Sequence, residues 1–283
     1  MQINWFPGHM AKTRKLISEN LKLVDIVYEL VDARIPESSK NPEIEKITRN
    51  KPKLTLLNKC DLADDKATQI WLSHYEKMGR CALLINSITG YNLNKIPKIT
   101  KELLKEKIER DRQRGIVNRP IKIMVVGIPN VGKSSFINKF TGGKSAQTGD
   151  RPGVTKGKQW IRLKEGFELL DTPGILWPKF EDKEAALRLA YTGAIKDEIL
   201  DVVELSFHLL EYLNKEYKEE LCARYKIETT DSAKGVEILE LICKKRGFIL
   251  PGAEIDYDRG AKIVLDEFRA CKIGKITLGL PKG

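Results

Sequence analysis

The residues best equipped for chemistry lie in Gly127-Ile-Pro-Asn-Val-Gly132-Lys133-Ser134, which fits the pattern G-x-x-x-x-G-K-[ST]. The stretch follows the apolar run Ile121–Val126 and opens a helical pattern at Lys133, so it reads as strand, glycine loop and helix start. Glycines let backbone N–H groups face a phosphate, and the helix N-terminus adds a favourable dipole. Asn130, Val131 and Gly132 would line such a cradle, together with Lys133, Ser134 and Ser135 of the first helical turn. Lys133 has the reach for β- and γ-phosphates, and the Ser134 hydroxyl suits Mg2+. Downstream, Asp171-Thr-Pro-Gly174 follows the apolar run Phe167–Leu170. There Asp171 can hold Mg2+ through water, and the Gly174 amide can touch a γ-phosphate. Thr155, in Arg151-Pro-Gly-Val-Thr155 between the two motifs, could bring a hydroxyl to the same metal.

A second constellation comes earlier in the chain. Asn58-Lys59-Cys60-Asp61 follows the run Leu54–Leu57. The Asp61 carboxylate can accept two hydrogen bonds from the N1–H and exocyclic amine of guanine. Adenine lacks that donor pair and would leave the carboxylate unsatisfied. Asn58 and the Lys59 stem would brace the loop and the ring. Asn86-Ser87-Ile88 follows Ala82–Ile85 and sits where GTPases carry S-A-K, whose backbone amide meets the base oxygen. Its side chains depart from that pattern, so the loop carries the expectation more than Asn86 or Ser87 alone. The expected ligands are GTP and GDP with Mg2+.

The order of these motifs is diagnostic. Ordinary GTPases run phosphate loop, switch threonine, D-x-x-G, N-K-x-D, S-A-K. Here N-K-x-D and the S-A-K-like loop come first, and the phosphate loop, Thr155 and Asp171–Gly174 follow. The same sheet has been cut and rejoined. With Trp5-Phe6-Pro7-Gly8-His9-Met10 and Asp32-Ala33-Arg34-Ile35-Pro36, the chain resembles the circularly permuted GTPases of the YlqF/YawG class. The resemblance covers residues 1 to 180 with specific motifs. Beyond that it rests on length and arrangement.

Several expectations come from this resemblance. It implies an assembly factor for the large ribosomal subunit that acts late on precursor particles, with rRNA and ribosomal proteins as partners. Ile175 stands where small GTPases place the water-orienting Gln. The resemblance implies that His9 swings toward the γ-phosphate instead. The other reading of His9 is an N-terminal motif that packs or binds RNA. His74 and His208 read as structural. In similar GTPases an Asn at the position of Asn130 coordinates K+ beside the phosphates, where the cation acts like an arginine finger. Otherwise Asn130 is a loop residue.

The elements that must position these groups follow from apolar periodicity. Short runs at Ile26–Val31, Leu54–Leu57, Ala82–Ile85, Ile121–Val126, Gln159–Leu163 and Phe167–Leu170 read as buried strands. Helical patterns lie between them at 10–22, 40–49, 65–78, 93–113 and 133–140. This alternation predicts an α/β fold, an open and mostly parallel sheet with helices on both faces. From 183 the pattern is helical only, at 183–191, 197–213, 215–225, 233–245 and 257–271. The expected organisation is a GTPase domain over 1–180 with an N-terminal extension over 1–22. A linker or helix over 181–199 leads to a smaller all-α domain over 200–283. The family resemblance implies RNA binding for that last part. The permutation also leaves 171–179 tethered onward only through it, which predicts that nucleotide state repositions residues 200–283.

Charge narrows the partner class. The chain of 283 residues carries a formal net charge of +11. Residues 200–283 hold 14 Lys/Arg and 15 Asp/Glu, so the excess belongs to the first part. Residues 133–164 contain eight basic residues and Asp150 alone. Of these, Lys144, Arg151, Lys156, Lys158, Arg162 and Lys164 form a basic stretch that nucleotide does not account for. Such a surface attracts polyanions through counterion release. The mixed Lys, Glu and Arg of 101–114 reads rather as a solvated helix. No run of about 18 apolar residues exists, so no membrane association is expected. Trp5, Pro7, Gly8 and His9 occupy the place where a signal peptide needs an apolar run. Five dispersed cysteines without a C-x-x-C pair fit a reducing compartment. A cytoplasmic location is therefore expected, and the chain is expected to be a monomer in solution. Two other functions fit parts of the pattern. One is an RNA-binding scaffold that senses GTP without significant turnover. The other, an ATP-dependent kinase, requires Asn58–Asp61 to be coincidental.

Overall fold

The computed structural model describes residues 17–116, 119–142, 160–170, 182–195 and 197–281. Two compact units divide the chain, one of residues 1–181 with 279–283 and the other of Asp182–Leu278.

The first unit is built on a six-stranded sheet in the order β3-β2-β1-β4-β6-β5. Its strands are β1 (Ile26–Asp32), β2 (Lys53–Asn58), β3 (Cys81–Leu84), β4 (Ile121–Gly127), β5 (Trp160–Arg162) and β6 (Phe167–Leu170). Among the described strands of the sheet, only edge strand β5 pairs antiparallel. The fold is the expected α/β arrangement with a mostly parallel sheet. Central β1 is buried along its whole length, as a strand covered on both faces must be. Ile17, Val24, Val27, Ile44, Met124, Val126 and Leu170 form one core cluster. Val31, Ala33, Leu57, Ala63, Trp71 and Tyr75 form another.

Helices α1 (Pro42–Thr48), α2 (Asp65–Lys77), α3 (Ile96–Leu103), α4 (Lys105–Gln113) and α5 (Lys133–Thr141) accompany the strands. Asn41 caps α1 by accepting from the Glu43 and Ile44 amides, and Asp64 caps α2 through the Ala67 amide. The helical pattern over 93–113 is not one helix. A short 3-10 turn at Leu93–Lys95 leads into α3, and the backbone leaves helical geometry at buried Leu104 (φ −103°, ψ 10°) before α4 starts. Turning Leu104 into the core lets α3 pack while α4 stays solvated, without a buried residue. Tyr28 of β1 secures this side. Its hydroxyl shares a 2.6 Å hydrogen bond with Thr100, and its ring meets Phe136 and Phe140 of α5 edge-on.

The second unit is helical: α6 (Lys183–Tyr191), a 3-10 turn at Asp197–Ile199, α7 (Val202–Glu216), α8 (Lys218–Tyr225), α9 (Gly235–Arg246) and α10 (Tyr257–Arg269). The periodicity over 197–213 thus becomes a turn followed by a helix, because Asp201 accepts from the Glu204 amide and starts α7 there. Leu205, Leu209 and Leu213 of α7 are buried in the layer it forms with α9 and α10. Arg269 satisfies the open end of α6, donating to the carbonyls of Ala190 and Tyr191 and pairing with Asp197 at 2.6 Å. Gly235 faces α7 so closely that a Cβ would lie 2.2 Å from the Phe207 carbonyl oxygen. Helix propensity favours alanine by about 1 kcal/mol, but this clash is with backbone and cannot relax cheaply. Gly235→Ala is expected to destabilise the unit by about 2 kcal/mol. An unchanged or raised thermal midpoint would contradict that packing.

Candidate functional site

Three loops leave the carboxyl ends of β2, β3 and β4, the edge where open α/β sheets bind ligands. The loop after β4 runs from Gly127 to Gly132. A Cβ on Gly127 would meet the Leu30 carbonyl oxygen at 2.6 Å, so the strand can turn there only as glycine. Asn130 (φ +56°) and Gly132 (φ +98°) are left-handed, and α5 opens at Lys133. The Lys133 ammonium donates to the carbonyls of Gly127 (3.1 Å) and Ile128 (2.8 Å), curling over its own loop. Val131 is buried, whereas Ser134 and Ser135 are exposed in the first turn of α5. That turn offers hydroxyls, an ammonium and the helix's N-terminal amides together, a donor set suited to a polyphosphate with a hard cation.

The loop after β2 is fixed to both of its neighbours by Asn58. Its Nδ2 donates to the Val131 carbonyl at 2.8 Å. Its Oδ1 accepts from the Ser87 amide (3.0 Å) and the Ser87 hydroxyl (2.8 Å). Lys59 is left-handed (φ +60°), and its ammonium donates to the Asn130 carbonyl at 2.7 Å. Asp61 follows in the short 3-10 helix Cys60–Leu62, with its carboxylate exposed. In the loop after β3, Asn86 Oδ1 accepts from the Ile88 and Thr89 amides and holds that turn. Asn58, Lys59, Asn86, Ser87, Asn130, Val131, Gly132 and Lys133 therefore belong to one bonded group of loops.

His9, Thr155, Asp171 and Gly174 lie outside the described residues, as do Lys144, Arg151, Lys156 and Lys158 and the side chain of Lys164. Arg162 is exposed on β5, 3.5 Å from Glu168.

Two residues of this edge carry no role in the sequence reading. Asp32, the last residue of β1, is buried and receives both Nε (3.0 Å) and Nη2 (2.8 Å) of Arg34. It also receives the Lys59 ammonium at 3.0 Å. Burial by itself would raise this carboxyl. The charges of Arg34 and then Lys59, with their hydrogen bonds, outweigh it and hold Asp32 well below the usual carboxylate range. The available signal was D-x-R directly after a buried strand that is apolar except for Tyr28 and Glu29, since a charged pair at that point must be buried together.

The comparisons agree with this geometry. A family described as 50S ribosome-binding GTPase matches residues 122–239. The chain is 49% identical over 282 residues to Ribosome biogenesis GTPase A of Bacillus licheniformis, covering 100% of this chain and 99% of that one. The chain belongs to the ribosome biogenesis GTPase A family. The family protein of Priestia megaterium is 50% identical over 282 residues, with 99% and 98% of the two chains covered. Among solved structures, GNP-bound YlqF from T. maritima matches with a TM-score of 0.66 and 26% identity over 96% of this chain and 99% of that chain. As a ribosome biogenesis GTPase A family member with this sheet, the chain is a circularly permuted GTPase of the YlqF class. No helix among the described residues is long and apolar enough to cross a membrane.

Proposed function

We propose that this GTPase is a cytoplasmic, monomeric assembly factor that acts on late large-subunit precursors and is released when it hydrolyses GTP. One observation carries the reading. The Asn58 carboxamide bonds the loop bearing Asp61 to both the phosphate loop and the Ser87 loop, so recognition of a guanine and grip on its phosphates are one structure. A protein using the phosphate loop for ATP has no need of that tie. The names of the relatives, which are ribosome biogenesis factors, supply the particle.

In this proposal Asp61 reads the guanine edge, the Lys59 stem covers the ring, and the Ser87 loop meets the base oxygen. Asn130 through Gly132, Lys133, Ser134 and Ser135 grip the phosphates. Ser134, Thr155 and, through water, Asp171 hold Mg2+, while Gly174 senses the γ-phosphate. When bound, the metal neutralises charge developing on the phosphates. The basic residues from Lys144 to Lys164 face rRNA in the GTP-ordered state. The helical unit adds RNA contacts through exposed Lys244, Lys245, Arg246, Lys272 and Lys275.

Steady-state GTP turnover measured with and without large-subunit precursor particles tests the function. Stimulation is expected, and its absence would favour a GTP-sensing scaffold, the reading suggested by Ile175 in place of a water-orienting Gln. His9→Ala is expected to reduce the stimulated rate about a hundredfold with GTP affinity intact. Unchanged turnover would make His9 a recognition element. Replacing Na+ by K+ is expected to raise turnover by about tenfold, an effect that Asn130→Ala removes. Equal rates in the two salts would leave Asn130 as a loop residue.

A further inference from the structure

The buried pair at the end of β1 does more than the fold requires. A carboxylate in the middle of a sheet edge must be neutralised, and the Arg34 fork on both oxygens already does so. Asp32 nevertheless takes a second cation, with the Lys59 ammonium on Oδ2 at 3.0 Å. The same ammonium donates to the Asn130 carbonyl at 2.7 Å. Asp32 ends β1, and Lys59 and Asn130 lie in the loops just past the ends of β2 and β4, which come together because the register pairs Asp32 with Asn58 and Leu30 with Gly127. Lys59 must bend back to reach both acceptors, and its left-handed backbone (φ +60°) supplies the bend. The Asp32–Arg34 pair is neutral as a unit, so adding Lys59 leaves one net positive charge against the phosphate loop.

We propose that Asp32 is a positioning residue for nucleotide binding, which holds the Lys59 ammonium against the Asn130 carbonyl so that the base loop and phosphate loop grip as one unit. Arg34 fixes the carboxylate for this task. A residue that only staples the chain after β1 would need no bond to Lys59. Asp32 does make such staples, since its amide donates to the Ser39 hydroxyl oxygen and its Oδ1 accepts from the Arg34 amide. The proposal rests on the nucleotide site proposed above, and the test separates the two.

The experiment is a double-mutant cycle on the full chain, read as GDP affinity and dissociation rate with a fluorescent GDP. Lys59→Met is expected to weaken GDP by about tenfold to a hundredfold and Asp32→Asn by about tenfold, as for hydrogen bonds to charged groups. Because Asp32 acts through Lys59, the double variant should be no more than about twofold worse than Lys59→Met. Multiplying effects, or a normal affinity in folded Asp32→Asn, would overturn the role of Asp32. A normal affinity in Lys59→Met would overturn the nucleotide reading of the loop, and this proposal with it. Asp32→Asn leaves the Arg34 charge buried beside a neutral group and can unfold the unit. The cycle is therefore repeated with Asp32→Asn/Arg34→Met, which removes both charges and must show the same non-additivity with Lys59→Met. Thermal melts accompany each variant, because a staple alone would shift the midpoint without coupling to Lys59.

Discussion

Asn58→Ala is expected to weaken GDP and GTP binding by about a hundredfold, the largest effect of any single truncation at this edge. The side chain is buried and uses both the Nδ2 and the Oδ1 of its carboxamide on the two neighbouring loops. Truncation leaves the Val131 carbonyl and the Ser87 amide without their partner in a site from which water is largely excluded. Each such group costs about 1–3 kcal/mol, and hydrogen bonds to neutral groups give about 1 kcal/mol apiece when intact. Two losses near 1.5 kcal/mol sum to about 3 kcal/mol, which is about a hundredfold at 1.4 kcal/mol per decade. The loss falls on affinity because the tie joins the two loops assigned to the base with the loop assigned to the phosphates. Ser87→Ala removes only the 2.8 Å hydroxyl bond and keeps the amide bond, so it should cost a few-fold. Fluorescent-GDP titration with a parallel melt decides the matter. If Asn58→Ala lowered the midpoint while affinity stayed within about threefold, the carboxamide would be a fold staple and not a coupling between loops.

Strands β1 to β4 were legible because each is a short, largely apolar run ending in a chemically distinctive loop. Ile26–Asp32, Lys53–Asn58 and Ile121–Gly127 differ from their apolar runs only by end residues. The phosphate loop was legible for a related reason, since its glycines and Lys133 are adjacent in the chain and their chemistry is local. Asp32 and Arg34 were visible as a motif but not as a mechanism. Their role depends on which residue of β1 lies beside which residue of β2, and the register that pairs Asp32 with Asn58 is set by long-range packing. The break at Leu104 was hidden for the opposite reason. Periodicity sees apolar spacing through 93–113 but not that Leu104 turns into the core while Ile108 stays exposed. Asn58 is intermediate: the sequence places it in a loop with Lys59 and Asp61, whereas the reach of its carboxamide to Val131 and Ser87 exists only in three dimensions.

Gly132→Ala should be nearly as damaging as Asn58→Ala, and for a connected reason. Gly132 sits at φ +98°, a conformation that costs an L side chain about 1–3 kcal/mol wherever it occurs. An added Cβ would also lie 2.4 Å from Asn58 Nδ2. A side-chain tip can usually swing away, but this one is buried and held to the Val131 carbonyl. Either the phosphate loop shifts or Asn58 lets go, and both outcomes separate the two loops. We expect GDP affinity to fall by about a hundredfold. The two causes are separable in the Asn58→Ala background. There the clash has no partner, so Gly132→Ala should add only the backbone strain, about tenfold. Full multiplication of the two single effects would place the penalty in the loop backbone alone. Wild-type affinity in Gly132→Ala would mean that Asn58 and the phosphate loop do not need to touch for the nucleotide to bind.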